Sequence, residues 1–331
     1  MSAESAIFDR ERAAAVEAVA EAARICRRVQ ARKVSGAALT KGDKSPVTIA
    51  DFASQAVVCR TLARHFPGDA VMGEEGSAEL REAGNAGIAR EVCDEVRTHV
   101  AGAADADVLG WIDRAQSEGG RGRFWCLDPI DGTKGFLRGE QYAVALALID
   151  RGEVEVGALA CPNLSVAGAP GCILIAVRGR GVALLPLGAD GPGAALPARA
   201  SNCGERLAAR IVESVEAAHG DHGGHERVRA ALGCTAAPVR LDSQAKYAVL
   251  ARGDGEIYLR LPTSADYREN LWDQAAGVRV IEEAGGRVTD CDGRPLDFTT
   301  GRKLTRNQGI VATNGRLHDA VIAAVRSIRA S

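Results

Sequence analysis

Aromatic residues are scarce in this sequence: Phe, Trp and Tyr make up 4% of 331 residues. A platform that stacks nucleic-acid bases needs such rings, so their scarcity argues against one. Charge of one sign is missing as well. Lys and Arg number 41 against 43 Asp and Glu, a formal net charge of -2, which leaves no basic field to attract a polyanion. The nine cysteines are scattered, odd in number and form no C-x-x-C pair. That pattern excludes a zinc ribbon and a disulfide framework as organising devices, and it suits a reducing compartment, read here as cytoplasmic. No apolar run reaches membrane-spanning length. The first residues show neither the charged-then-apolar pattern of a secretory signal nor the Ser-rich, acid-poor look of a transit peptide; an organellar location would require a leader already removed.

What is present is ordinary globular composition, 46% apolar and 25% charged, in a chain long enough for one large or two ordinary domains with real cores. It is organised around Phe124-Trp-Cys-Leu-Asp128-Pro129-Ile130-Asp131-Gly132-Thr133-Lys134-Gly135. Residues 124–127 read as a buried strand, stopped at Asp128-Pro129 because proline ends ladder pairing. Asp131-Gly132 signals a turn, and Thr133 can cap the segment after it. Two carboxylates three residues apart, with the Ile130 carbonyl between them, gather hard oxygens that a divalent cation such as Mg²⁺ would offset. A solvated surface turn is the plainer alternative; the apolar lead-in and the capping Thr favour a site.

Elsewhere, residues 9–33 are Ala-rich with Val16, Val19, Ala23 and Cys26 at helical spacing, predicting a long amphipathic helix. Residues 40–47 read as a loop. Thr48-x-x-Asp51 then has the form of a capping box opening a helix that runs to about residue 65. Asp51 either caps that helix or holds a water beside the loop. Residues 69–73 predict a short strand ending at Glu74-Glu75-Gly76, where glycine leaves room for a ligand. Residues 77–83 and 88–100 look helical. Hairpins are predicted over 142–149 with 154–160 and 171–177 with 182–187, implying an antiparallel sheet, and 188–200 reads as a linker. Beyond it, strands at 210–214, 239–241, 257–261 and 309–312 alternate with helices at 225–232, 244–251, 271–284 and 316–329. That rhythm implies a mainly parallel, covered sheet with ligands at the carboxyl ends of its strands. The expected domains are therefore 1–198 and 199–331. Asp273 falls in the first turn of the 271–284 helix, where an acidic cap is common. His219-Gly-Asp-His222-Gly-Gly-His225 could be a zinc cluster, but no cysteine stands at ligand spacing and the glycines favour a polar, ligand-contacting loop.

Asp51, Gly73-Glu74-Glu75, Asp128 to Thr133 and Trp272-Asp273-Gln-Ala-Ala-Gly277 resemble the signatures of the inositol monophosphatase-like superfamily of Mg²⁺-dependent, lithium-sensitive phosphatases. The chain is most similar to its 3'(2'),5'-bisphosphate nucleotidase branch, through residues 45–51, 128–141, 214–221, 241–247 and 258–262. The resemblance implies an α/β protein with an α+β first half: a five-layer αβαβα sandwich in which an antiparallel-sheet domain precedes a mainly parallel one, with the site between the sheets. It implies two or three Mg²⁺ ions on Glu74, Asp128, Asp131, Asp273 and the Ile130 carbonyl, and a water oriented or deprotonated by Asp51 and Thr133. Thr133, His219, Ser243, Lys246 and Arg260 would contact the nucleotide. The implied substrate is 3'-phosphoadenosine 5'-phosphate, giving AMP and phosphate by in-line attack of metal-activated water, with 3'-phosphoadenosine 5'-phosphosulfate a second substrate. No nucleic-acid polymer and no membrane is implied, and the chain would be a monomer or weak homodimer.

Plainer readings put Lys246 on a solvated helix face and Arg260 in a surface ion pair. Three other functions stand beside the nucleotidase. One is a related phosphatase acting on inositol phosphates. The second is a non-catalytic nucleotide sensor, against which the full set of expected ligands and both water-handling residues argue. The third is a Ca²⁺-stabilised structural protein, but the spacing of a twelve-residue calcium loop is missing.

Overall fold

A computed structural model describes residues 7–32, 38–40, 46–215, 222–264 and 266–330. The chain opens with α1 (Asp9–Ala31), a small hairpin of β1 (Ala38–Thr40) and β2 (Pro46–Thr48), and α2 (Ile49–His65). Next come β3 (Ala70–Gly73), α3 (Ala86–Arg97), α4 (Asp105–Asp113), β4 (Phe124–Asp131) and the short α5 (Thr133–Arg138). Then β5 (Ala143–Asp150), β6 (Glu153–Cys161), β7 (Gly171–Val177), β8 (Val182–Leu187) and β9 (Leu196–Pro197) complete a seven-stranded sheet in the order β3-β4-β5-β6-β7-β8-β9. Every pairing in it is antiparallel except β3 beside β4.

The remainder consists of β10 (Ile211–Glu213), α6 (His222–Leu232), β11 (Val239–Arg240), α7 (Ala245–Ala251), β12 (Ile257–Arg260), α8 (Ala275–Glu283), β13 (Arg287–Thr289), β14 (Ile310–Thr313) and α9 (His318–Ala330). Its five strands lie in the order β11-β10-β12-β14-β13. The expected parallel arrangement holds for β11, β10 and β12, while β14 and β13 run antiparallel.

Five layers result from which faces are apolar. The small residues of α1, among them Ala15, Ala18, Ala22 and Cys26, let it lie close against α2, and both helices cover one face of the large sheet. Strands β5 to β7 read as unbroken apolar runs because both their faces are covered; α8 packs on the other face, and α7 and α8 also meet the five-stranded sheet. Helices α6 and α9 cover the outer face of that second sheet around Ile211, Val228, Val311 and Val325. Gly277 is needed where α7 meets α8, since a Cβ there would fall 2.1 Å from the Tyr247 ring.

Several expectations are corrected. The central strand does not stop at Asp128-Pro129 but runs to Asp131, with the β4–β5 register shifting between Asp128 and Asp131. A bulge takes Pro129 and Ile130 out of the ladder, so the missing proline N–H costs no pairing. Residues 79–81 and 83–85 form two 3-10 turns instead of one helix, and α4 was not foreseen. Asp273 is not in a first helical turn: α8 starts at Ala275, and the Leu271 N–H instead bonds the Arg302 carbonyl at 3.0 Å. Finally, α6 begins at His222, so His222 and His225 belong to a helix and not to a loop. His219, like the rest of 216–221, lies outside the described residues.

Candidate active site

A cavity of about 420 Å³ opens between the two sheets, and Glu74, Asp128, Ile130, Asp131, Thr133, Ser243, Lys246, Arg260 and Asp273 all line it. Residues from five separate stretches of sequence therefore meet at one place. Volume alone would not single it out, since a space of about 580 Å³ lies beside α1 and α5. The chemistry of its walls does.

The bulge at the end of β4 turns Asp128, Ile130 and Asp131 toward the cavity. Asp131 is fixed from the opposite half, where the Gln244 N–H donates to its Oδ2 at 2.6 Å. That contact requires Ser243 at a positive φ of 67°, an uncommon backbone state for a residue with a side chain, and Gly132, where a Cβ would fall 2.8 Å from the Ser243 Cβ. Thr133 Oγ1 donates to the Ile130 carbonyl at 3.3 Å. Glu74 comes directly after the end of β3, and its neighbour Glu75 is clamped by Gln55, which donates to the Glu75 carbonyl at 2.7 Å and accepts its N–H at 3.1 Å. Asp273 Oδ2 accepts from Asn270 Nδ2 at 3.4 Å. Asp51 is buried in the first turn of α2 and does not line the cavity. It sits close behind, since Ser54, one turn further along α2, donates to the Pro129 carbonyl at 2.8 Å.

Carboxylates gathered from four segments repel one another. Asp128, 1% exposed, is held well above the usual carboxylate range by burial first, and then by Glu74, Asp131, Asp273 and Asp51. Asp273, partly open to the cavity, is pushed up to about 8 by burial, with Asp131, Glu269 and Glu74 adding repulsion against the opposing pull of Arg260. Asp128 Oδ1 is buried without a hydrogen-bond partner among the described residues. An orphaned buried carboxylate oxygen among other carboxylates is a strained arrangement that a cation relieves, and an all-oxygen donor set matches Mg²⁺. Among the described residues no three such side chains converge closely enough to ligate an ion as they stand; the fit lies in the chemistry of the donors. The residues present fit the group.

The facing wall carries cations. Lys246, 3% exposed, is not on a solvated face. Its Nζ lies 5.3 Å from the Tyr258 ring centre and donates to the Leu241 carbonyl at 3.4 Å. Burial lowers its pKa to about 8, with Asp131 pulling the other way. Arg260 is in an ion pair, 2.9 Å from Glu269 Oε2, but the pair is internal and not at the surface. Gln274 donates to the same Glu269 oxygen at 3.0 Å and accepts from the Tyr247 hydroxyl at 2.5 Å. Arg260 thus arrives with its charge matched, whereas Lys246 has no paired carboxylate among the described residues.

Further lining residues were not singled out from sequence: Lys134, Ser214, Asp242, Tyr267, Asn270 and Lys303. Lys134 and Asp242 lie in stretches that carried the resemblance, and Asp242 is tied across the halves by an ion pair with Arg138. Asn270 and Lys303 sit in segments without periodicity, and nothing local marks them.

The chain matches the profile of the inositol monophosphatase family over residues 8–330. It is 41% identical to a 3'(2'),5'-bisphosphate nucleotidase of Emericella nidulans, over 97% of this chain and 99% of that protein. A protein of the same name from Oryza sativa is 43% identical over 96% of this chain and 93% of its own length. Among solved structures, an IMPase of Thermotoga maritima superposes with a TM-score of 0.66 at 21% identity, covering 95% of each chain. SuhB of Mycobacterium tuberculosis gives 0.61 at 22% identity and 96% coverage of each. These two likenesses concern the fold.

Proposed function

We propose that this chain, which belongs to the inositol monophosphatase family, is a phosphatase that removes the 3'-phosphate of 3'-phosphoadenosine 5'-phosphate to give AMP and inorganic phosphate. The observation that carries the reading is that one cavity has an acidic wall facing a buried lysine with no paired carboxylate among the described residues. A substrate with two phosphate groups meets both needs: the scissile group at the carboxylate side and the remote group on the lysine. Relatives over nearly the whole chain carry the nucleotidase name, which supports the same substrate.

In this reading Glu74, Asp128, Asp131, Asp273 and the Ile130 carbonyl hold two or three Mg²⁺ ions. Bound there, Mg²⁺ supplies charge neutralisation at the transferring phosphate and a lowered pKa for water. Asp51, behind Asp128, takes up a proton from the attacking water, and the Thr133 hydroxyl orients that water. Lys246 binds the remote phosphate; Ser243 shapes the ribose side, and Arg260, braced by Glu269, adds positive potential. His219, outside the described residues, is the remaining nucleotide contact that the family resemblance implies. The division at 198/199, which falls between β9 and β10, separates the half that supplies most carboxylates from the half that supplies the cations. The same reading takes a small-molecule substrate, a cytoplasmic setting and a monomer or weak homodimer; among the described residues no helix is long and apolar enough to cross a membrane.

The test is phosphate release from a panel of 3'-phosphoadenosine 5'-phosphate, its 5'-phosphosulfate analogue, inositol 1-phosphate and fructose 1,6-bisphosphate, with Mg²⁺ and with chelator. Preference for the adenosine bisphosphate, with the sulfated analogue second and inhibition by Li⁺, is expected. Preference for inositol 1-phosphate would assign the protein to the other branch, and no release from any substrate would favour a nucleotide sensor.

A further inference from the structure

The carboxylate wall is assembled from two sheets, so something must set the distance between its two sides. Glu74 stands just beyond β3, the last strand of the large sheet, whose free side is met, among the described residues, only by the short 115–117 segment, through Gly73 N–H to the Ala115 carbonyl and Ser117 N–H to the Val71 carbonyl, each at 2.9 Å. Asp273 comes from the other half, in a turn ahead of α8.

Arg302 touches the residue before each of them. Its Nη2 donates to the Gly73 carbonyl at 2.7 Å, and its Nη1 to the Ser117 carbonyl at 3.4 Å. Its guanidinium lies 4.7 Å from the centre of the Trp272 ring, a cation–π distance. Its own carbonyl accepts the Leu271 N–H at 3.0 Å, and the Leu304 N–H bonds the Glu269 carbonyl at 2.9 Å, so the loop that carries it is sewn to the Asp273 turn. One planar side chain therefore ties the Glu74 arm to the Asp273 arm. A lysine could not make two hydrogen bonds and a flat stack together.

We propose that Arg302 is a positioning residue of the metal site, a strut that keeps the Glu74 arm and the Asp273 arm from moving apart. The inference rests on the reading that those two carboxylates are metal ligands. An ordinary cross-link between halves would change melting alone. A strut changes metal affinity, because without it part of the binding energy goes to gathering the ligands. Outer partners that orient metal ligands typically matter by about 10–100-fold in affinity.

The experiment is calorimetric titration of Mg²⁺ into metal-free wild type, Arg302→Ala, Arg302→Gln and Arg302→Lys, without substrate and well below melting. It is run beside the Mg²⁺ dependence of phosphate release. Arg302→Ala should weaken Mg²⁺ binding by about tenfold or more and raise the half-saturating Mg²⁺ by the same factor. KM for the nucleotide at saturating Mg²⁺ should stay within about twofold. Arg302→Gln and Arg302→Lys, which keep a donor for the Gly73 carbonyl, should fall between. Wild-type affinity in a folded Arg302→Ala protein, even with lowered melting, would overturn the strut. If that variant does not fold, wild-type affinity in Arg302→Gln overturns it equally. A wild type that binds no Mg²⁺ would instead remove the metal reading, and the strut with it.

Discussion

The two walls of the cavity are built by different means. On the large-sheet side, Asp128 and Asp131 project from a single bulged strand buried in the core, and Gln55 clamps the chain next to Glu74. Rigid backbone forces like charges together there, Asp273 joins them from the other half, and the cost shows in the raised pKa values of Asp128 and Asp273. On the other side, Lys246 and Arg260 come from a helix start and a strand end that also carry the interior network of Glu269, Gln274 and Tyr247. In the proposed reading the first wall holds cations and so serves the reaction, whatever alcohol leaves, and the second presents a cation of its own and so distinguishes one phosphate ester from another. The reaction and the selectivity should therefore be separable by mutation.

The largest effect is expected at Asp131. Asp131→Asn keeps shape and the acceptor for the Gln244 N–H but removes a negative charge. Turnover should drop by orders of magnitude on every substrate, with the fold retained by circular dichroism. Near-normal turnover at ordinary Mg²⁺ would take Asp131 out of the site.

Asp51 comes next. As a proton acceptor, Asp51→Asn should lower kcat about 10²-fold or more with little change in melting. As a helix cap alone it would cost about 1 kcal/mol of stability and leave kcat intact.

The acidic wall also predicts a pH signature in stability. Asp273 has its pKa pushed up to about 8 in the metal-free fold, against an ordinary 3.8, and Asp128 is shifted the same way. Between those pH values the folded state binds more protons than the unfolded chain, so the metal-free protein loses stability as pH rises from about 4 to 8. Mg²⁺ favours the ionised carboxylates and must displace their protons. The rise in melting temperature on adding Mg²⁺ should therefore be larger at pH 8 than at pH 6. An equal rise at both would contradict the mutual repulsion inferred for these groups.

The smallest effect concerns the cationic wall. Lys246 loses its proton as pH climbs through about 8, a midpoint that a bound phosphate shifts upward. KM for the adenosine bisphosphate should rise a few-fold above that pH, while KM for adenosine 3'-phosphate, which has no remote phosphate, should not. Parallel changes would place the titration elsewhere.

The acidic wall was partly legible because short-range rules govern it. An apolar run, a proline and an Asp-Gly pair suffice to bring Asp128 and Asp131 to the end of a strand, though pairing rules alone stopped that strand too early and missed the bulge. Glu74 and Asp273 could be matched to the site only through the family resemblance, since their meeting depends on how two sheets stack. Lys246 and Arg260 were legible as candidates; their difference in pairing was not, because Glu269 reaches Arg260 through tertiary packing. Arg302, Asn270 and Lys303 were invisible, lying in loops whose geometry is imposed by what they touch.

The most direct measurement of the division between the walls is kcat/KM for Lys246→Ala on two substrates, 3'-phosphoadenosine 5'-phosphate and adenosine 3'-phosphate. The expected loss on the bisphosphate is about 1.5–3 kcal/mol, the usual range for a hydrogen bond to a charged group, with adenosine 3'-phosphate nearly unaffected. Equal losses on both would contradict the account and make Lys246 part of the reaction centre or of the fold.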